Sequence, residues 1–238
     1  MTLLEQWGVP LAVLGMLLLT LFMAAVVSRY QAYQADVRVA VRHLYAHAAE
    51  LVAALAELGR VPLSRELRLT LRSEVLATYR KIRKLNRRCP GIAEEIRKAE
   101  YALNAEGAPL AGGVGPMESE QAFHKIIAAL DCLISNLGRG GTLQAVPADV
   151  RAIFCRELGE RRAEAMSRHH LVEAKHHERS GNTTRARTHL MALMQALRQR
   201  GPSTEFVREL YAEAESALSG LNDRQLKSDI VATDADAA

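Results

Sequence analysis

Polar and apolar positions follow two different patterns along this chain. From Gly8 to Val27 there is no polar face: twenty residues, GVPLAVLGMLLLTLFMAAVV, pass without a charge. As a helix that stretch is roughly 30 Å long, the thickness of a bilayer's hydrocarbon core. Trp7 before it and Tyr30 and Tyr33 after it suit the two interfacial belts. A cleaved secretion signal would want a basic leader, whereas MTLLEQW carries Glu5 and neither Lys nor Arg, and Val26-Val27-Ser28 is a poor cleavage site. A core helix of a soluble domain would show a polar stripe. The pattern therefore predicts a transmembrane helix over 8–28. Arg29, Arg38 and Arg42 follow it and no cation precedes it, so residues 1–7 are expected outside and the bulk of the chain in the cytoplasm.

Beyond residue 28 the apolar positions recur at helical spacing. Val37, Val41, Leu44, Ala48, Leu51, Leu55 and Leu58 alternate by four and three, a heptad seam of about three repeats. It can pair with the next helix of the same chain, or with a second copy as a homodimer; the apolar stripe just downstream favours the intrachain hairpin. Gly59 and Pro62 end that helix, and Ser64 caps another to about Arg88, with Leu67, Leu71, Val75, Tyr79, Ile82 and Leu85 inward. Cys89-Pro90-Gly91 precedes a third helix bearing Ile92, Ile96, Ala99 and Leu103.

NAEGAPLAGGVGPM, residues 104–117, reads as a flexible loop separating an N-terminal unit, 29–103, from a C-terminal one, 118–221. The second unit holds helices at about 118–137, stopped by Gly138-Arg139-Gly140-Gly141, then 147–179, 183–200 and, capped by Ser203, 204–219. Residues 222–238 have the composition of a disordered tail. The expected fold is all-α: one spanning helix, then a cytoplasmic helical bundle.

Within that bundle, HHLVEAKHHERSGNTTRARTHLMALMQALRQ resembles one tetratricopeptide-repeat hairpin. Gly181 stands at the turn, Ala174 and Ala186 at the small positions where the helices cross, and Leu190 at the large apolar one. His170 occupies a position where the pattern has an aromatic, and no second copy follows at the required period. A plain antiparallel helix pair uses the same small-residue crossing. What the resemblance implies is protein binding rather than catalysis.

Charge changes the picture in one place. The chain has a net charge of +4, yet residues 60–100 alone carry twelve positive and five negative side chains. Arg80, Lys81, Arg83, Lys84, Arg87 and Arg88 put six cations into nine residues. Cations at a helix C-terminus complement its dipole. If the helix folds back toward the bilayer, they also come near anionic headgroups, each attracted by about 1 kcal/mol close to the surface. Tyr79 is the one ring available for base stacking in the cluster, so nucleic acid is not an expected partner. Cys89, Cys132 and Cys155 are odd in number and form no C-x-x-C pair, as suits free thiols in a reducing compartment.

Catalytic and metal signatures are weak. His43, His47 and Glu50 share one helix face, but HLYAH lacks the glutamate that zinc proteases place after the first histidine. His169, His170, His176 and His177 repeat at seven residues; Glu173, Lys175 and Arg179 between them indicate a hydrated or partner-facing surface. Gly107 and Gly112 have P-loop spacing, with Gly113-Val114 where Lys-Ser/Thr is required. Neither a cofactor nor a metal is expected, and the predicted function is that of a non-enzymatic scaffold for protein partners.

Overall fold

The structure, a computed structural model, describes residues 3–105, 107, 112–115, 117, 119–138 and 146–236, with side chains placed between 13 and 224. Seven helices account for almost all of the described residues, and none of those residues forms a strand. They are α1 (Leu3–Glu57), α2 (Arg65–Leu85), α3 (Ile92–Asn104), α4 (Glu120–Gly138), α5 (Ala148–Arg179), α6 (Thr183–Arg200) and α7 (Glu205–Asp236).

Helix α1 is one unbroken rod of 55 residues, about 80 Å long at 1.5 Å per residue. Only its far half enters the core. Ala48, Leu51, Ala54 and Leu58 are buried, Val41, Leu44 and Leu55 pack against them half-buried, and Val37 lies outside that cluster. A single 3-10 turn, Leu58–Arg60, ends the rod, and the chain reverses through buried Val61 and Leu63. α2 returns antiparallel along α1: the rings of Tyr45 and Tyr79 meet with centroids 5.9 Å apart. The heptad seam is thus consumed within the chain, mainly against α2 and α4.

The start of α2 is capped as its sequence predicts, Ser64 Oγ accepting from the Leu67 N–H at 3.3 Å. The same hydroxyl donates to Glu157 Oε2 on α5 at 2.7 Å, and the Ser64 N–H donates to the other carboxylate oxygen. An acid at a helix N-terminus completes the dipole there. It also ties the α1–α2 turn to α5. α2 stops at Leu85, three residues short of the expected Arg88, because Asn86 turns extended.

α3 packs on α2, α4 bridges α1 and α5, and α5 continues into a second group with α6 and α7. The first core joins residues of α1, α2, α3 and α4 with Phe154, Leu158 and Ala165 of α5; the second joins Ala163, Leu171 and Ala174 of α5 with α6 and α7. Packing therefore changes hands inside α5 rather than at residues 104–117, where the sequence pattern puts the boundary.

Part of that loop is held rather than free. Val114 is buried, and its N–H donates to Glu164 Oε1 of α5 at 2.9 Å. Gly113 passes so close that a Cβ would collide with the Glu164 carboxylate and the Arg168 guanidinium. Residues 106, 108–111 and 116 of the predicted loop, residue 118 at the start of the predicted C-terminal unit, and the Arg139-Gly140-Gly141 stop lie outside the described residues.

At the C-terminal end two expectations change. Thr204, not Ser203, caps α7, its hydroxyl accepting from the Val207 N–H at 3.5 Å. The helix then runs through the predicted tail to Asp236, since no Gly or Pro follows Gly220 to stop it and Leu, Lys, Gln and Ala favour continuation. The three cysteines are free and half-buried, and desolvation pushes the thiols of Cys132 and Cys155 up from their ordinary values.

Candidate functional site

The apolar end of α1 is uncovered. Leu14, Met16, Leu17, Leu18, Leu19, Leu21, Phe22 and Met23 are all at least half exposed, and none of residues 13–36 is buried. A stretch this long and apolar can cross a membrane, and none of the described residues buries it. That removes the core-helix reading. Val27 is 49% exposed, and Tyr30 and Tyr33, where an interfacial belt belongs, are exposed. Gly8, the other end of the expected span, lies in the helix.

The basic segment is open to solvent. Arg80, Lys81, Arg83, Lys84, Arg87 and Arg88 are all exposed, and Arg80 pairs with Glu100 at 2.8 Å. The Tyr45–Tyr79 contact puts Arg80, one residue further along α2, near the level of Leu44 on the rod. Arg87 and Arg88 follow in the turn beyond the end of α2.

A groove runs along the same three helices. α1 and α3 both lean on α2, leaving a cavity of about 280 Å³ floored by Leu55, Val75, Tyr79 and Ala99, with Val52 exposed on its wall. Lys98 and Glu95, paired at 3.0 Å, stand at its rim. Arg72 closes one end by donating to the Ala102 carbonyl.

The α5–α6 pair is an antiparallel hairpin. Gly181 turns it in the left-handed region, φ 77°, where a Cβ would be strained, and Ala174, Ala186 and Leu190 are buried between the helices. α5 is 32 residues long and packs on α4 and α7 as well as on α6.

Of the histidines of this hairpin, His176 is exposed together with Lys175 and Arg179, whereas His169, His170, His177 and His189 are half-buried. His169 stacks on Phe123 of α4 at 4.0 Å, and His170 Nδ1 is 3.2 Å from His189 Nδ1 of α6. Burial, together with His169 and His189 alongside, brings His170 down to about 4, so the ring is neutral in ordinary buffers. His177 stacks on His189 with centroids 5.4 Å apart. Glu173, His177 and His189, all half-buried, each bring one donor atom within 4.8 Å of the other two. His189 carries no sequence signal of this: it stands alone on α6, and only the hairpin's register brings it to the pair at 173 and 177. His47 has a half-buried ring whose Nε2 is buried without a partner, and desolvation lowers its affinity for protons. No protein-family model, curated protein or solved structure matches the chain.

Proposed function

We propose that this is a single-pass membrane protein whose helical domain, on the cytoplasmic side of a bacterial inner membrane, is a non-enzymatic docking platform for protein partners. One observation carries the reading: α1 is bare and apolar over 13–27 and a core element over 48–54. A helix with no break between those halves makes anchor and domain one rigid body, so the domain's surfaces are presented at fixed heights above the lipid. The arginines after the span, with none before it, support the orientation. The groove between α1 and α3 supports docking of a partner's helix, and the tetratricopeptide-like α5–α6 hairpin offers a second surface of the same kind.

A photoreactive residue in place of Val52, activated in native membranes, should give crosslinks to a discrete protein identified by mass spectrometry. Crosslinks to lipid alone, or none, would remove the docking reading. A reporter active only outside the cytoplasm and fused after residue 238 should be silent.

A second reading is favoured by the exposure of the basic segment: Arg83, Lys84, Arg87 and Arg88 contact anionic headgroups. Because residues 13–36 bury nothing, a chain starting at Arg29 keeps its core. Its binding to anionic vesicles should fall at least tenfold when those four residues become Glu, and fall again with added salt. Unchanged binding would end this reading.

A further inference from the structure

We propose that Glu173, His177 and His189 form a binding site for a divalent transition-metal ion of the zinc class, joining α5 to α6. The argument begins with spacing. Residues four apart on a helix share a face, so Glu173 and His177 present a carboxylate and an imidazole side by side on α5. Across the hairpin, His189 of α6 supplies the third donor, and all three donor atoms lie within 4.8 Å of one another. Zinc bonds of about 2.0–2.2 Å in tetrahedral geometry put donors roughly 3.3 Å apart. Closing the set therefore takes side-chain torsion changes on two helices that already pack, not a movement of the backbone.

The donors are also partly organised before any ion arrives. All three residues are half-buried, and the stacking of His177 on His189, at an interplanar angle of 22°, restricts both rings. His170 Nδ1 lies 3.2 Å from His189 Nδ1, so with that contact kept it is Nε2 that His189 would offer to the ion. Metal-bound imidazoles characteristically have such an outer partner, which sets ring orientation.

Donor chemistry selects the ion. Calcium and magnesium want six or more oxygens, which two imidazoles and one carboxylate do not offer. Zinc, cobalt and nickel accept this mixed set. Three protein ligands leave a fourth position for water or for a donor from a bound partner. The ion would staple the α5–α6 hairpin near its turn, where Gly181 reverses the chain.

The test uses the full chain in detergent, stripped with chelator, and titrated with zinc chloride by calorimetry. One saturable ion per chain is expected, with a matching cobalt(II) visible absorption band. His177→Asn and His189→Asn should each weaken zinc binding more than tenfold and abolish the band, and Glu173→Gln should weaken it as well. His176→Asn, beside the site but outside the donor set, should leave both readouts unchanged. Far-UV dichroism of the stripped variants separates lost ligation from lost fold: a helical chain that no longer binds supports the site. If His177→Asn perturbs the fold, Glu173→Gln and His189→Asn carry the comparison. Absence of saturable binding in the wild type overturns the proposal. So does equal affinity and stoichiometry in the His177→Asn and His189→Asn variants, which would mean adventitious zinc on other histidines.

Discussion

Replacing Leu18 and Leu19 together with arginine should move the protein from the membrane fraction to the soluble fraction. Each arginine near the middle of a span costs about 2.5–3.5 kcal/mol, and each lost leucine removes a further ~0.5 kcal/mol of favourable insertion. The pair therefore shifts the balance by roughly 6–8 kcal/mol. Eleven Leu, Val and Phe residues between Gly8 and Val27 supply the favourable side. At about 0.3–0.6 kcal/mol each they total roughly 3–7 kcal/mol, too little to hold the doubly charged helix in lipid. Both leucines are about 60% exposed and touch no core residue, so the released domain should keep its helicity and melting temperature. Alkaline carbonate extraction reads the first outcome and circular dichroism the second. Retention of the variant on membranes would show that something other than this segment holds the protein there.

What the sequence discloses about this fold is what local chemistry controls. The Ser64 cap, the limits of α6 between Asn182 and Gly201, and the α5 start after Pro147 are visible because a single residue type ends or begins a helix there. The all-helical class and the uncovered apolar segment follow from periodicity alone. Features that need a partner distant in sequence stay hidden. Val114 lies in a Gly/Pro-rich stretch that reads as free chain, and the carboxylate holding it is fifty residues away. Glu157 on the Ser64 cap, and His189 against Glu173 and His177, are invisible for the same reason. Where α7 ends is a different difficulty: charged and small residues fit either a tail or a solvent-exposed helix, and composition does not choose between them.

The same distant contact gives the largest expected effect on stability. Glu164→Ala should destabilise the domain by about 3 kcal/mol, most of it from a buried peptide N–H left without an acceptor. Glu164 is 6% exposed on α5, accepts from Val114 N–H at 2.9 Å and from Arg161 at 2.9 Å, and forms an ion pair with Arg168 at 3.1 Å. The two guanidiniums are 30% and 47% exposed, so water can take over part of their solvation and the ion pairs contribute less than a fully buried set would. Val114 N–H has no such recourse, because the residue is 2% exposed. Its side chain also loses the attachment that seats it in the first core. Glu164→Gln keeps an acceptor for that N–H while removing the charge, and should cost less, about 1–2 kcal/mol. For a domain of this size, thermal unfolding should drop by roughly 6–12 °C for the alanine variant and by clearly less for the glutamine variant. Gly113→Ala should act in the same direction by pushing the loop off the carboxylate it crosses. If the alanine variant instead melts with the wild type, the loop is not held by this carboxylate; if alanine and glutamine cost the same, the charge rather than the buried N–H is what Glu164 supplies.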